Sequence, residues 1–187
     1  MPDVTRGSPA PVLYLPRPSA WLLWHDYLFR PGMTVLDLAC GEGRHALKAA
    51  QWGATVTGLD DDDSKLETAR EAASRLGVRV GWNNVDLEGD WPDMGPFDAV
   101  LVFNYLDRAR MPEIRELVAP GGLLFMETYL SWQRDLGWGP TGDDHLLEPG
   151  ELARLTAPFE TIHGREAFEP IDATKVRAVS SIIAQRR

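Results

Sequence analysis

The run Val35-Leu-Asp-Leu-Ala-Cys-Gly-Glu-Gly-Arg-His-Ala46 concentrates the residue types that could do chemistry in this chain. An apolar stretch carrying one carboxylate, Asp37, leads into a turn with two glycines, Gly41 and Gly43. Glycines let a ligand approach the backbone, and a helix that starts after such a turn offers N–H groups with no partner of their own. A second apolar run, Ala54 to Leu59, ends at another acid, Asp60. A carboxylate at the end of a strand can accept hydrogen bonds from both hydroxyls of a ribose. The chemistry on offer is the binding of a nucleoside-bearing cofactor.

The elements that position these residues follow from hydrophobic periodicity and turn signals. Apolar spacing predicts a helix over 19–29, capped by Ser19 and ended by Pro31-Gly32. Strands are expected at 34–38, 54–59, 78–82, 97–103 and 122–129. Helices are expected at 44–52, from Ser64 to Leu76 with a capping box at Ser64–Glu67, at 112–118 and at 148–155. The segment 131–145 reads as a polar, glycine-rich loop, and 159–167 and 176–184 as a terminal strand pair. Alternation at this spacing implies a Rossmann-like, doubly wound α/β fold with helices on both faces of a seven-stranded, mainly parallel sheet. Ligands bind such sheets beyond the carboxyl ends of the strands, where the strand order reverses.

The 187 residues suit one domain, 1–187, with residues 1–30 as an amino-terminal arm and helix that covers the cofactor. Net charge is −9, and the basic residues are scattered singly apart from Arg186-Arg187, which disfavours a nucleic-acid partner. No apolar stretch is long enough to cross a bilayer. A single cysteine, Cys40, cannot form an internal disulfide, and no signal peptide is visible, so the expected location is cytoplasmic. Cys40 reads as a small buried side chain rather than a nucleophile. Asp62 and Asp63 read as helix-capping acids, and neither they nor the four histidines have metal-ligand spacing, so no metal site is expected.

The choice of cofactor turns on Asp37. Gly41-Glu-Gly43-Arg-His-Ala46 formally fits the glycine pattern of dinucleotide sites. A carboxylate late on the preceding strand would repel a diphosphate. It would attract an ammonium, which S-adenosylmethionine carries, together with a sulfonium and no phosphate. A nicotinamide-dependent oxidoreductase and a non-catalytic S-adenosylmethionine-binding module are the alternatives.

Asp37-Leu-Ala-Cys-Gly-Glu-Gly43 resembles motif I of the class I S-adenosylmethionine-dependent methyltransferases. Val56–Asp60, Asn84–Leu87, Phe97–Phe103 and Leu117–Leu124 follow in the family's order. His145–Leu152 and the chain's small size are similar to the branch of tellurite-resistance and thiopurine-type enzymes. The resemblance implies a sheet of strand order 3-2-1-4-5-7-6 with the last strand antiparallel. It also implies methyl transfer to a small-molecule acceptor, a soft sulfur, selenium or tellurium species or an oxygen or nitrogen nucleophile, with S-adenosylhomocysteine as product. By the same resemblance Asp37 holds the cofactor's ammonium indirectly, and Ala39, Cys40, Gly41 and Gly43 line its methionyl and ribose side. Asp60 takes the ribose and Asp61 lies beside the adenine. Asp86 and the Leu87 N–H receive the adenine amino edge, and Phe103 and Asn104 face the reacting methyl. Motif I often has glycine where this chain has Ala39. No residue stands out as catalytic. Tyr105, Glu127, Tyr129 and His145 are positions to test, with Asn104, Tyr105, Tyr129 and His145 assigned to the acceptor. Tyr14, Trp21 and Trp24 read either as a lid or as core.

Overall fold

The computed structural model describes residues 17–187. Tyr14 and the expected loose segment 1–12 lie outside them. Seven strands form one sheet in the order β3-β2-β1-β4-β5-β7-β6. They are β1 (Thr34–Leu38), β2 (Thr55–Asp60), β3 (Val80–Asn84), β4 (Phe97–Phe103), β5 (Val118–Tyr129), β6 (Glu160–Pro170) and β7 (Val176–Gln185). The first five are mutually parallel, and β7 runs antiparallel to both β5 and β6, as the resemblance implies. The helices are α1 (Ala20–Trp24), α2 (Arg44–Gln51), α3 (Asp63–Leu76), α4 (Met111–Glu116) and α5 (Glu151–Thr156).

The central strands are apolar on both faces because both faces are covered. Leu36, Leu38, Val100, Val102, Leu124 and Met126 point to the side of α4 and α5, where Ile114 and Leu152 meet them. Val35, Leu101, Phe103 and Phe125 point the other way, onto Ala46 and Ala49 of α2 and Trp21 and Leu22 of α1. Trp21 is therefore core, while Trp24 is exposed. Among the described residues, no helix is long and apolar enough to cross a membrane.

Local chemistry moved several boundaries. The helix expected over 19–29 is broken: α1 ends at Trp24, and Asp26–Leu28 is a 3-10 turn. Asp62, not Ser64, caps α3, because its carboxylate reaches the N–H groups of Ser64 and Lys65, and the Ser64 hydroxyl donates to it as well. β3 starts two residues later than expected. β5 starts at Val118 because Val118 pairs with Phe97 across a register shift, so Ala119-Pro-Gly-Gly122 continues the strand instead of preceding it. Ser131–Leu136 of the expected loop winds into a 3-10 helix held by Gln133, whose amide donates to the Trp138 carbonyl and accepts the Ala178 N–H.

Candidate active site

β1, β2 and β4 end side by side, and the chain leaves them in opposite directions, so a cleft opens above their carboxyl ends. The cleft holds about 530 Å3. Ala39, Cys40 and Gly41 after β1, Asp60 and Asp61 at the end of β2, Leu87 after β3, and Phe103, Asn104 and Tyr105 at the end of β4 all line it. Nine of the residues expected from sequence thus meet on one wall. Glu42, Arg44, His45, Lys65 and Glu88 join them.

The turn after β1 is built on left-handed backbone. Gly41 and Gly43 have φ of 55° and 76°, and Ala39 has φ of 56°. The departure at Ala39 thus places a side chain where glycine is favoured, at a cost of roughly 1–2 kcal/mol. A Cβ on Gly41 would meet only the Lys65 side chain, at an ordinary contact distance of 3.9 Å. At Gly43 a Cβ would lie 2.3 Å from the Trp82 indole. Trp82 also crosses Gly58 of β2, so this indole fills the space beneath the turn. Gly43 lets helix and sheet approach and does not line the cleft, a correction to its expected role.

Two carboxylates hold the turn. Asp60, only 6% exposed, accepts the Gly41 N–H at 2.7 Å and the Asp62 N–H at 3.2 Å, with Lys65 Nζ 3.9 Å away. Asp37 is 1% exposed, lies beneath the turn instead of on the cleft wall, and accepts the Ala46 N–H at 2.9 Å. Burial pushes its carboxyl up to about 7, against the pull of that hydrogen bond and of Arg44. The Gly43 N–H bonds the Cys40 carbonyl at 2.9 Å. A diphosphate needs amides of this kind free to cradle it, and here acids and a carbonyl occupy them. The site suits a nucleoside bearing a cation.

The chain is similar to methyltransferases. Residues 35–122 match the methyltransferase domain family. Over 152 residues the chain is 31% identical to the ubiquinone biosynthesis O-methyltransferase of Methylocella silvestris, covering 70% of this chain and 59% of that protein. It spans about three-fifths of the length of the relatives it matches. Its fold is that of TehB from Haemophilus influenzae (TM-score 0.74, 17% identity, 89% of this chain and 61% of that one). It also matches magnesium protoporphyrin IX methyltransferase from Synechocystis PCC 6803 with bound SAM (TM-score 0.66, 18% identity, 90% and 76%).

The cleft brings together polar and apolar side chains that suit S-adenosylmethionine. Asp60 and Asp61 bring carboxylates to its wall, and Leu87 and Phe103 supply apolar surface. Asp86 is turned away: it is exposed and accepts the Glu88 N–H at 2.9 Å, leaving Leu87 and Glu88 on the wall. Tyr129 is half-buried, edge-on to Trp138, and also off the wall. His145 lines a second cleft of about 630 Å3, which shares Glu88, Asn104 and Tyr105 with the first.

Sequence spacing passed over His45. Its ring stacks on Phe103 with centroids 3.9 Å apart, and its Nε2 accepts the Ser19 N–H at 3.1 Å. Burial, with Arg44 and Arg177 beside it, drives its pKa well below the usual histidine value, so the ring is neutral. Glu127, a position to test from sequence, is 0% exposed and fully engaged. It accepts from Ser19 Oγ (2.6 Å), Ser181 Oγ (2.7 Å), Arg177 Nη2 (2.8 Å) and Arg165 Nη2 (3.3 Å). Glu169 pairs with the same two arginines. Only the pairing of distant strands reveals this cluster. Among the described residues, no group of three or more His, Cys, Asp or Glu side chains could hold a metal ion.

Proposed function

We propose that this chain transfers the methyl group of S-adenosylmethionine to a small-molecule acceptor. The observation that carries this reading is the second cleft, which opens from Asn104 and Tyr105, the residues that close the end of the first. Two adjoining spaces sharing one wall suit two ligands placed head to head. The relatives named as ubiquinone biosynthesis O-methyltransferases favour an oxygen acceptor.

The cofactor, when bound, supplies an activated methyl on a good leaving group. The chain's own residues then align and shield. Asp60 would hold the ribose and Asp61 would flank the adenine. Asp37 would balance the ammonium through the turn, and Phe103 would exclude water from the reacting end. Neither His45 nor Tyr105 serves as a base there. The His45 lone pair at Nε2 is taken by Ser19, and burial lifts the Tyr105 phenol to about 12, so it keeps its proton. The acceptor therefore arrives already nucleophilic, as a soft chalcogen group or as an acidic hydroxyl. In this reading the amino-terminal arm from residue 17 on, with α1, flanks the cofactor. In support, Ser19 already bonds His45 on the cleft wall and Glu127 beneath it.

Incubation with methyl-labelled S-adenosylmethionine and a panel of thiols, catechols, amines and tellurite tests the proposal. Labelled product from at least one small acceptor is expected. Tight S-adenosylhomocysteine binding with no product across the panel would instead favour a non-catalytic binding module.

A further inference from the structure

Arg108 stands in the turn that leaves β4 for α4, and it lines the second cleft. Asp107 sets the turn, since its carboxylate accepts the Ala109 and Arg110 N–H groups at 2.9 and 3.2 Å. From there the guanidinium reaches the segment before α5. Nε and Nη2 donate to the two carboxylate oxygens of Glu151 at 2.5 and 3.1 Å, a fork-to-fork pair. Nη2 also donates to the Leu146 carbonyl at 2.7 Å, and Nη1 to the Asp143 and Asp144 carbonyls at 3.3 and 3.4 Å.

These contacts decide what Arg108 can do. A guanidinium has five N–H groups, and this one already makes five hydrogen bonds within the fold. Its charge is matched by Glu151, whose carboxyl that hydrogen bonding holds below the usual carboxylate range. No donor is left to seat a ligand, although among the described residues Arg108 is the one Lys or Arg that lines the cleft. What it holds is backbone. Asp143–His145 is a single 3-10 turn with no side-chain cap, and it carries Asp144 and His145 onto the cleft wall. One helical turn does not keep its shape unaided in water. Arg134 donates to the Thr141 carbonyl and pairs with the Asp143 carboxylate before the turn, and the Leu147 N–H bonds the Tyr129 carbonyl after it. Arg108 is the tie between them, on the cleft side. Glu151 extends it, since the same carboxylate accepts the Glu148 N–H at 2.8 Å.

We infer that Arg108 is a positioning residue for the methyl acceptor: it fastens residues 143–146 to the end of β4 and so fixes Asp144 and His145 relative to Asn104 and Tyr105. The assignment rests on the second cleft holding the acceptor. Lysine in its place could match the charge of Glu151 but could not span the carboxylate and the carbonyls together.

Hydrogen exchange of the full chain, read by mass spectrometry, tests the fastening, and initial rates test its consequence. In Arg108→Gln the amides of residues 145–147 should exchange about tenfold faster, while those of Gly41 and Ala46 keep their wild-type rates and S-adenosylhomocysteine affinity in calorimetry stays within about twofold. With methyl-labelled S-adenosylmethionine and whichever thiol, catechol, amine or tellurite wild type turns over, KM for that acceptor should rise about tenfold and KM for S-adenosylmethionine should not move. Arg108→Lys should fall between. Unchanged exchange at 145–147 overturns the inference even if the acceptor KM rises, because Arg108 would then touch the acceptor itself. Faster exchange throughout the chain overturns it as a general loss of stability, and so does faster local exchange with an unmoved acceptor KM. If Arg108→Gln does not fold, as judged by circular dichroism, Arg108→Lys is read by the same criteria. Turnover of no acceptor by wild type would instead remove the acceptor reading, and the exchange comparison alone would then decide the fastening.

Discussion

Replacing Asp37 by asparagine should make the protein more stable at neutral pH, not less. Asp37 is buried beneath the turn, and its carboxyl is raised from 3.8 to about 7. A raised folded-state value means that the folded chain holds a proton that the unfolded chain has released. Stability contributed by the neutral carboxyl is therefore present below about pH 4 and is lost as pH climbs to about 7. The shift corresponds to up to about 4 kcal/mol. Asparagine cannot ionise, and its carbonyl can still accept the Ala46 N–H. Urea unfolding of wild type and Asp37→Asn between pH 4.5 and 8 should give curves that converge at acid pH and separate toward pH 8, the variant above. His45, held neutral in the fold, slopes the opposite way in both proteins, so the difference isolates Asp37. With cofactor the sign reverses. An ammonium needs the ionised carboxylate, so wild-type affinity for S-adenosylhomocysteine should be about tenfold weaker at pH 6 than at pH 8 relative to the variant's own pH trend. Parallel unfolding curves would refute the burial argument, and parallel binding curves would refute the role of Asp37 beneath the amino-acid end.

Three further outcomes follow from contacts at the site. Gly43→Ala sets a methyl against the Trp82 ring at a positive φ and should cost about 2–4 kcal/mol in chemical denaturation, where Gly41→Ala, with only the flexible Lys65 side chain in ordinary contact, costs its backbone strain. Glu127→Ala removes one of the two carboxylates that hold Arg165 and Arg177 and takes the acceptor from the Ser19 and Ser181 hydroxyls, and should destabilise by about 1–3 kcal/mol, with a fall in melting temperature and no need for a catalytic explanation. Asp60→Ala should weaken S-adenosylhomocysteine binding by roughly 1–3 kcal/mol in calorimetry, and unchanged affinity in a folded variant would remove its ribose assignment.

The sequence by itself determined the strand and helix alternation, the place of the cleft, and nine residues of its wall. Apolar periodicity sets the alternation, glycines and acids at strand ends mark the cleft, and the resemblance to a known family supplied most of the wall residues. Tertiary structure decided the rest. Gly41 and Gly43 look alike in the chain, yet Trp82, from a strand two places away, fills the space under Gly43 and not under Gly41. Asp37 and Asp60 both sit late on apolar strands, but of the two only Asp60 reaches the cleft, because Asp37 is held under α2 by the Ala46 N–H. Glu127 looked like a candidate for chemistry until Arg165 and Arg177 closed on it from β6 and β7. Such assignments depend on which side chains the sheet order brings together. A side chain's charge state and exposure are properties of its neighbours, and most of those neighbours are distant in sequence.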